Sequence, residues 1–181
     1  MKKMLSLILA LAMTASLLTA CGGSQPEQSA ETEAAITVDG TMEELLNKIV
    51  TENPVEFMGG VIPIDLTDTS EDGLWAIKSF TGLEDASSIT EAAAFEPMMG
   101  SMAFSMVMVR VAPDAVSKTV AEAMKSGIDT RKWICVEAND LLVTGYGDVV
   151  MLIMLDNQSG LTAQSFVDAF AKVVGTPEFT I

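Results

Sequence analysis

The chain has 181 residues, with 25 Asp and Glu against 10 Lys and Arg and no histidine at all. A formal charge of −15 excludes a nucleic-acid surface, which needs clustered cations. The missing histidine excludes a Ser-His-Asp triad, a Cys-His pair and a His-ligated zinc or haem. With 49% hydrophobic and 19% charged residues, the chain can bury a core for one domain but is too short for two large ones.

Residues 1–20 read as an export signal. Lys2 and Lys3 give a basic start, Leu5 to Leu18 an apolar stretch, and Leu18-Thr19-Ala20-Cys21 a bacterial lipobox. The apolar stretch is about 14 residues, short of the roughly 20 that a spanning helix needs, so a cleaved signal is expected rather than a transmembrane anchor. A diacylglyceryl group is then expected on the Cys21 thiol, with Cys21 as the first mature residue. Cleavage leaves 8 cations and 25 anions, so the mature protein is repelled by anionic headgroups and must owe its membrane attachment to the acyl chains. Residues 21–37 follow as the lipidated cysteine and a flexible acidic tether of Gly, Ser, Gln, Ala and Pro with Glu27, Glu31 and Glu33. Such a coil of about 16 residues spans roughly 20–25 Å, which holds a small domain clear of the headgroups. One globular domain is expected over residues 38–181.

Thr41 and Glu44 form a capping box for a helix from Met42 to about Glu52, with Met42, Leu45, Leu46, Ile49 and Val50 on one face and Asn53-Pro54 as the stop. Phe57 to Leu66, broken by Gly59-Gly60 and Pro63, suits an irregular or edge strand. Thr69 and Asp72 suggest a second cap, ahead of a short helix with Leu74, Trp75, Ile77 and Phe80 and a stop near Gly82. Ile89 to Pro97 and Ala103 to Val111 read as paired strands. A helix is expected from Pro113, burying Val116, Val120, Ala123 and Met124 up to Gly127. The order then repeats: Leu141 to Thr144 and Val149 to Leu155 flank Gly145-Tyr146-Gly147-Asp148, and Thr162 opens a helix with Phe166, Val167, Phe170, Val173 and Val174 on one face. Val149 to Leu155 is wholly apolar and Ala103 to Val109 nearly so, which makes both interior strands covered on two sides. The expected fold is α+β: a mainly antiparallel sheet of about four strands with two strand-strand-helix units. In this reading the helices after the hairpins cover one face and the N-terminal helices the other.

The lipobox, the acidic spacer, the apolar strand entering a helix over Val107 to Met124, and Arg131-Lys132-Trp133 ahead of the Gly145-Tyr146-Gly147-Asp148 hairpin go together. On these features the chain resembles the small bacterial lipoproteins of domain of unknown function four-three-five-eight, over roughly residues 41 to 174. The resemblance implies an extracytoplasmic location and this architecture, and assigns no activity.

Three constellations invite a chemical reading. Asp65, Asp68, Glu71 and Asp72 carry oxygens for calcium but miss the EF-hand spacing, and capping explains them better. Cys135, in Trp133-Ile134-Cys135-Val136, is the one thiol left beside Cys21 and reads as an inert core residue. Met98, Met99, Met102, Met106 and Met108 put five thioethers within eleven residues, a soft set that suits Cu(I). Alternation instead places Met102, Phe104, Met106 and Met108 on one strand face as core, leaving Met98, Met99 and Met102 near the turn. No carboxylate pair stands out for glycoside hydrolysis, and a two-lobed solute receptor needs a longer chain. The sequence therefore points to a non-enzymatic, membrane-displayed binding domain with no catalytic residue, metal or cofactor. Its expected partners are the membrane, through Cys21, and an envelope protein or surface component. Methionine-based Cu(I) handling is the alternative.

Overall fold

The computed structural model describes residues 36–181; the signal, Cys21 and the tether up to residue 35 lie outside the described residues. Thr41 accepts from the Glu44 backbone and Glu44 reaches back to the Thr41 amide, so the first helix, α1, starts as the capping box requires and runs Met42–Glu52. The next helix, α2 (Glu71–Thr81), is capped by Ser70, which accepts from the Gly73 amide, rather than by Thr69. α3 spans Ser117–Gly127 and α4 spans Ala163–Val173. Pro113 lies in the turn ahead of α3 and not in it, because α3 begins only after Val116, which is exposed.

The fold is α+β, with these four helices and a six-stranded antiparallel sheet in place of the expected four strands. In chain order the strands are β1 (Gly59–Pro63), β2 (Ile89–Pro97), β3 (Phe104–Val111), β4 (Asp140–Tyr146), β5 (Val149–Leu155) and β6 (Phe179–Thr180). Across the sheet they run β1-β2-β3-β5-β4-β6. Pro63 suits the edge position of β1, since proline donates no ladder hydrogen bond. At the other edge, β6 is only two residues long, too short to show a period. β3 and β5 pair centrally, Phe104 with Leu155 through Arg110 with Val149, and every β5 residue is buried.

Alternation along these strands divides the core in two. Phe95, Phe104, Met106, Met108, Met151 and Ile153 face α1 and α4, whereas Ala94, Val107, Val109, Val150, Leu152 and Met154 face α2 and α3. The expected division of helices between the faces is therefore wrong, since each face receives one N-terminal helix and one post-hairpin helix. The repeated strand-strand-helix order is also no symmetry. Exchanging the antiparallel neighbours β3 and β5 needs an axis perpendicular to the sheet, which keeps each face in place, yet α3 and α4 lie on opposite faces. Where α2 ends against α3 the two backbones nearly touch, and a Cβ on Gly127 would sit 2.0 Å from the Gly82 carbonyl oxygen.

Other side-chain placements also differ from expectation: Ala123 is exposed, because Val120, Ala121 and Met124 form the buried face of α3. Trp75 is exposed, because the buried face of α2 is Gly73, Ile77 and Thr81. Cys135 is exposed as well, in an irregular segment between α3 and β4, with a left-handed backbone at φ 64°. The Trp133-Ile134-Cys135-Val136 run joins no strand and packs only Trp133 against the core. The segment is held by Lys132 instead, and Ile134 is left 80% exposed.

Candidate functional site

The ends of the central strands differ in chemistry. At the end where β3 finishes and β5 begins, Arg110 is the one charged residue of β3, and the start of the described chain wraps around it. Its guanidinium donates to Asp148 Oδ2 at 2.6 Å, to Glu91 Oε2 at 3.3 Å, and to the carbonyls of Val38 and Gly40 at 3.1 and 2.6 Å. Asp148 in turn accepts from the Val38 amide and Glu91 from the Met42 amide, the first residue of α1. Burial lowers the Arg110 pKa, and the bonded Asp148 and Glu91 carboxylates more than restore it, so the guanidinium stays charged. Gly147 belongs to the same knot: Ile36 passes so close that a Cβ there would meet its carbonyl oxygen at 2.3 Å. Residues 36–42 are thus tied to the middle of the sheet.

The opposite end lies about 20 Å away along β3, at roughly 3.3 Å per residue. Here three loops meet, Pro54–Met58 before β1, the β2–β3 turn, and the segment around Gly160 after β5. They enclose a cavity of about 370 Å³ lined by Phe57, Met102, Phe104 and Leu161, with Glu56 as its one charged residue. Stacked aromatics support its floor, with Phe57 and Phe104 centroids 5.1 Å apart and Phe104 and Phe166 5.2 Å apart, both edge to face. Met58 is 78%, Met98 74% and Met99 61% exposed, and Met102 is half-buried beside them. Met98 donates its amide to the Met58 carbonyl, which extends the β1–β2 ladder by one pair and sets these two residues side by side. Of the five clustered methionines, Met106 and Met108 are core as expected, and Met98, Met99 and Met102 are at the turn. Met58 is the member that the sequence alone did not indicate, since only the β1–β2 register brings it there.

One further polar group lies near this end. Lys132 Nζ, its side chain 10% exposed, donates to Glu96 Oε1 at 2.6 Å, to Ser105 Oγ at 3.1 Å and to the Ser79 carbonyl at 3.3 Å, while Ser105 donates to the same Glu96 oxygen at 2.7 Å. Phe80 and Trp133 flank the ammonium at 5.0 and 5.5 Å. A serine beside a lysine suggests nucleophile and base, and burial does pull Lys132 below the ordinary lysine value, against the opposing Glu96. Ser105, however, is fully buried and does not line the cavity beside Phe104, and all three lysine protons are used. The group pins the irregular segment to the sheet. No signal in the sequence joins these three positions.

The acidic loop after β1 also has a local purpose. Asp65 accepts from the Thr67 side chain and amide, and Asp68 is held by Ser70, by its hydroxyl first and then its amide; these contacts hold both carboxyls below the usual range. Among the described residues no group of three or more Cys, Asp or Glu is placed to hold a metal ion, and no helix is long and apolar enough to cross a membrane. No family model matches the chain, and no curated protein or solved structure matches it either.

Proposed function

We propose that the protein is an extracytoplasmic bacterial lipoprotein, held to the membrane by lipid on Cys21, whose single α+β domain is a non-enzymatic binding module for an envelope protein or surface component. The observation that supports this reading most is the polarity of the domain. Residue 36 onward is fastened at the Arg110 end, and the cavity and the turns that carry the exposed Met58, Met98 and Met99 lie at the other. The acidic body is repelled by anionic headgroups, which favours a domain held clear of the membrane. Mass spectrometry of the native N-terminus tests the anchor. Diacylglyceryl on Cys21 is expected, and an unmodified chain beginning elsewhere would remove it. A photo-crosslinking amino acid in intact cells tests the module: adducts are expected from position 99 at the cavity end and not from position 114 at the tethered end. Equal yields, or none from position 99, refute the reading.

Methionine-based Cu(I) handling is the second reading, favoured by the same gathering of thioethers at one exposed end. Competition with a colorimetric Cu(I) chelator under reducing conditions distinguishes it. Stoichiometric copper withdrawal that is lost in Met58→Leu/Met98→Leu/Met99→Leu would put copper in place of a macromolecular partner.

A further inference from the structure

The two edges of the sheet differ. β6 is two residues long, whereas β1 offers five, Gly59-Gly60-Val61-Ile62-Pro63, and among the described residues no strand pairs with its outer side. Native proteins blunt such an edge with charged side chains, bulges, proline or a covering element, because its free backbone groups are a template for another strand. β1 carries no charge, and only Pro63 at its end is of that kind. The ladder to β2 fixes which groups are free. Met98 donates to the Met58 carbonyl and Ile64 to the Ala92 carbonyl. In antiparallel alternation Gly60 and Ile62 therefore also bond to β2, while Gly59, Val61 and Pro63 turn their backbone groups outward. The free edge thus holds two N–H donors, at Gly59 and Val61, and three carbonyls. Its side chains are equally unfinished. Val61 packs into the core under α1, so Met58, Gly60 and Ile62 face the α2 side of the sheet. There Met58 and Ile62 are exposed, and a Cβ on Gly60 would meet nothing within 4 Å.

We propose that β1 pairs antiparallel with β1 of a second copy of this chain, joining two six-stranded sheets into one about a twofold axis. Two registers give every free N–H of the edge a carbonyl. Centred on Val61, the two Val61 residues exchange both their bonds, and each Gly59 donates to Pro63 of the other copy. Centred on Gly60, Gly59 and Val61 exchange bonds instead, but two bare glycines then face each other. The first register sets each Ile62 opposite Gly60 of the other copy, where the open space receives it, and Met58 opposite Ile64. That filling decides for it. A copy of β1 brings both features at once, a proline where the contact needs only an acceptor and an isoleucine where it needs bulk. The axis stands perpendicular to the sheet, so the two cavities lie at opposite ends of the pair. Charge opposes the contact, since the described residues carry 22 Asp and Glu against 8 Lys and Arg, and Glu56 and Asp65 flank the strand. A five-residue edge is also small, which puts the pair among weak complexes, with a Kd of about 0.1 mM that tightens as salt screens the repulsion.

The test uses the whole mature chain from position 21, with Cys21→Ser to keep it unlipidated and Cys135→Ser to remove the other thiol. Sedimentation velocity is expected to show dimer at about 1 mM protein and monomer at about 10 μM, with affinity rising several-fold between about 0.05 and 0.5 M salt. Ile62→Lys, at an exposed position, is expected to melt with the parent and to lose dimer at least tenfold in affinity. Single cysteines read the register, with oxidised glutathione as the electron acceptor. In Val61→Cys the two Cα atoms face each other at roughly 5.5 Å, within reach of a disulfide, so a crosslinked dimer is expected. In Gly60→Cys, the more exposed site, they stand on a diagonal of about 7–8 Å, and the chain is expected to stay uncrosslinked. Monomer at about 1 mM, a dimer that Ile62→Lys leaves intact, or crosslinking from position 60 and not from position 61 would each overturn the proposal.

Discussion

Replacing Lys132 by Met keeps the length of the side chain and removes its charge, which leaves the shielded Glu96 carboxylate without its counter-charge and with only the Ser105 hydroxyl as donor. Both ends of the ion pair are shielded, Lys132 at 10% and Glu96 at 17% side-chain exposure, so the interaction belongs with buried pairs and not with surface ones. Breaking a buried pair from one side typically costs about 3–5 kcal/mol. At about 2–4 °C per kcal/mol for a domain of this size, the variant should melt on the order of 10 °C lower. Removing the whole group behaves differently. Burial depresses the Lys132 pKa more than Glu96 restores it, so the desolvation of the ammonium outweighs its attraction to the carboxylate. Lys132→Met/Glu96→Leu/Ser105→Ala, which leaves none of the three orphaned, should therefore recover most of the loss. Between the depressed folded value and the ordinary lysine value of 10.5 the unfolded chain holds more protons than the folded one, so this group's contribution to stability rises with pH. The gap between the natural protein and Lys132→Met should widen as pH approaches 10.5. Urea unfolding monitored by circular dichroism at several pH values reads all three effects. A single variant within about 1 kcal/mol of the natural protein, or a triple variant no better than the single, would refute the buried pair.

Other outcomes follow from the same geometry. Cys135, exposed on its irregular segment, should be labelled by a thiol reagent as fast in native buffer as in denaturant, and strong native protection would contradict its placement. Dilute hydrogen peroxide followed by peptide mass mapping should find sulfoxide first at Met58, Met98 and Met99, with the six buried methionines protected until the domain unfolds. Gly127→Ala, whose new methyl meets the rigid Gly82 backbone, should cost about 1–3 kcal/mol, whereas Gly100→Ala, with nothing within 4 Å, should be nearly silent in the same melting assay.

What could be read from the sequence was what local chemistry determines. The capping box and five apolar positions place α1 at Met42–Glu52, and the unbroken apolar run of β5 announces burial on both sides. The assignment of helices to faces was not legible, because periodicity fixes which side of a helix is apolar and leaves open the direction in which a connection turns. Trp75 and Cys135 are misplaced by sequence for a related reason: a short apolar run predicts burial, whereas α2 buries only a narrow stripe and residues 133–136 join no strand. Arg110 carried a usable signal, since a lone arginine in an apolar strand must find partners, but those partners come from positions 38, 40, 91 and 148, which only the fold brings together. The cavity depends on three loops far apart in sequence, and the Met58–Met98 neighbourhood on a strand register.

The fastening of residues 36–42 also has a mechanical meaning. A protein moored by its N-terminus feels every tug on its partner as tension between the anchor and the domain. Had the chain run straight into α1, that tension would peel the helix away first and open the core beneath it. Here the load passes at Ile36 and Val38 to Asp148 and Arg110, hence to β3 and the β4–β5 turn at the centre of the sheet, before it reaches Met42. In the proposed lipid-anchored protein, the domain would thus be pulled from the membrane side while the helix that seals one face of its core stays unloaded.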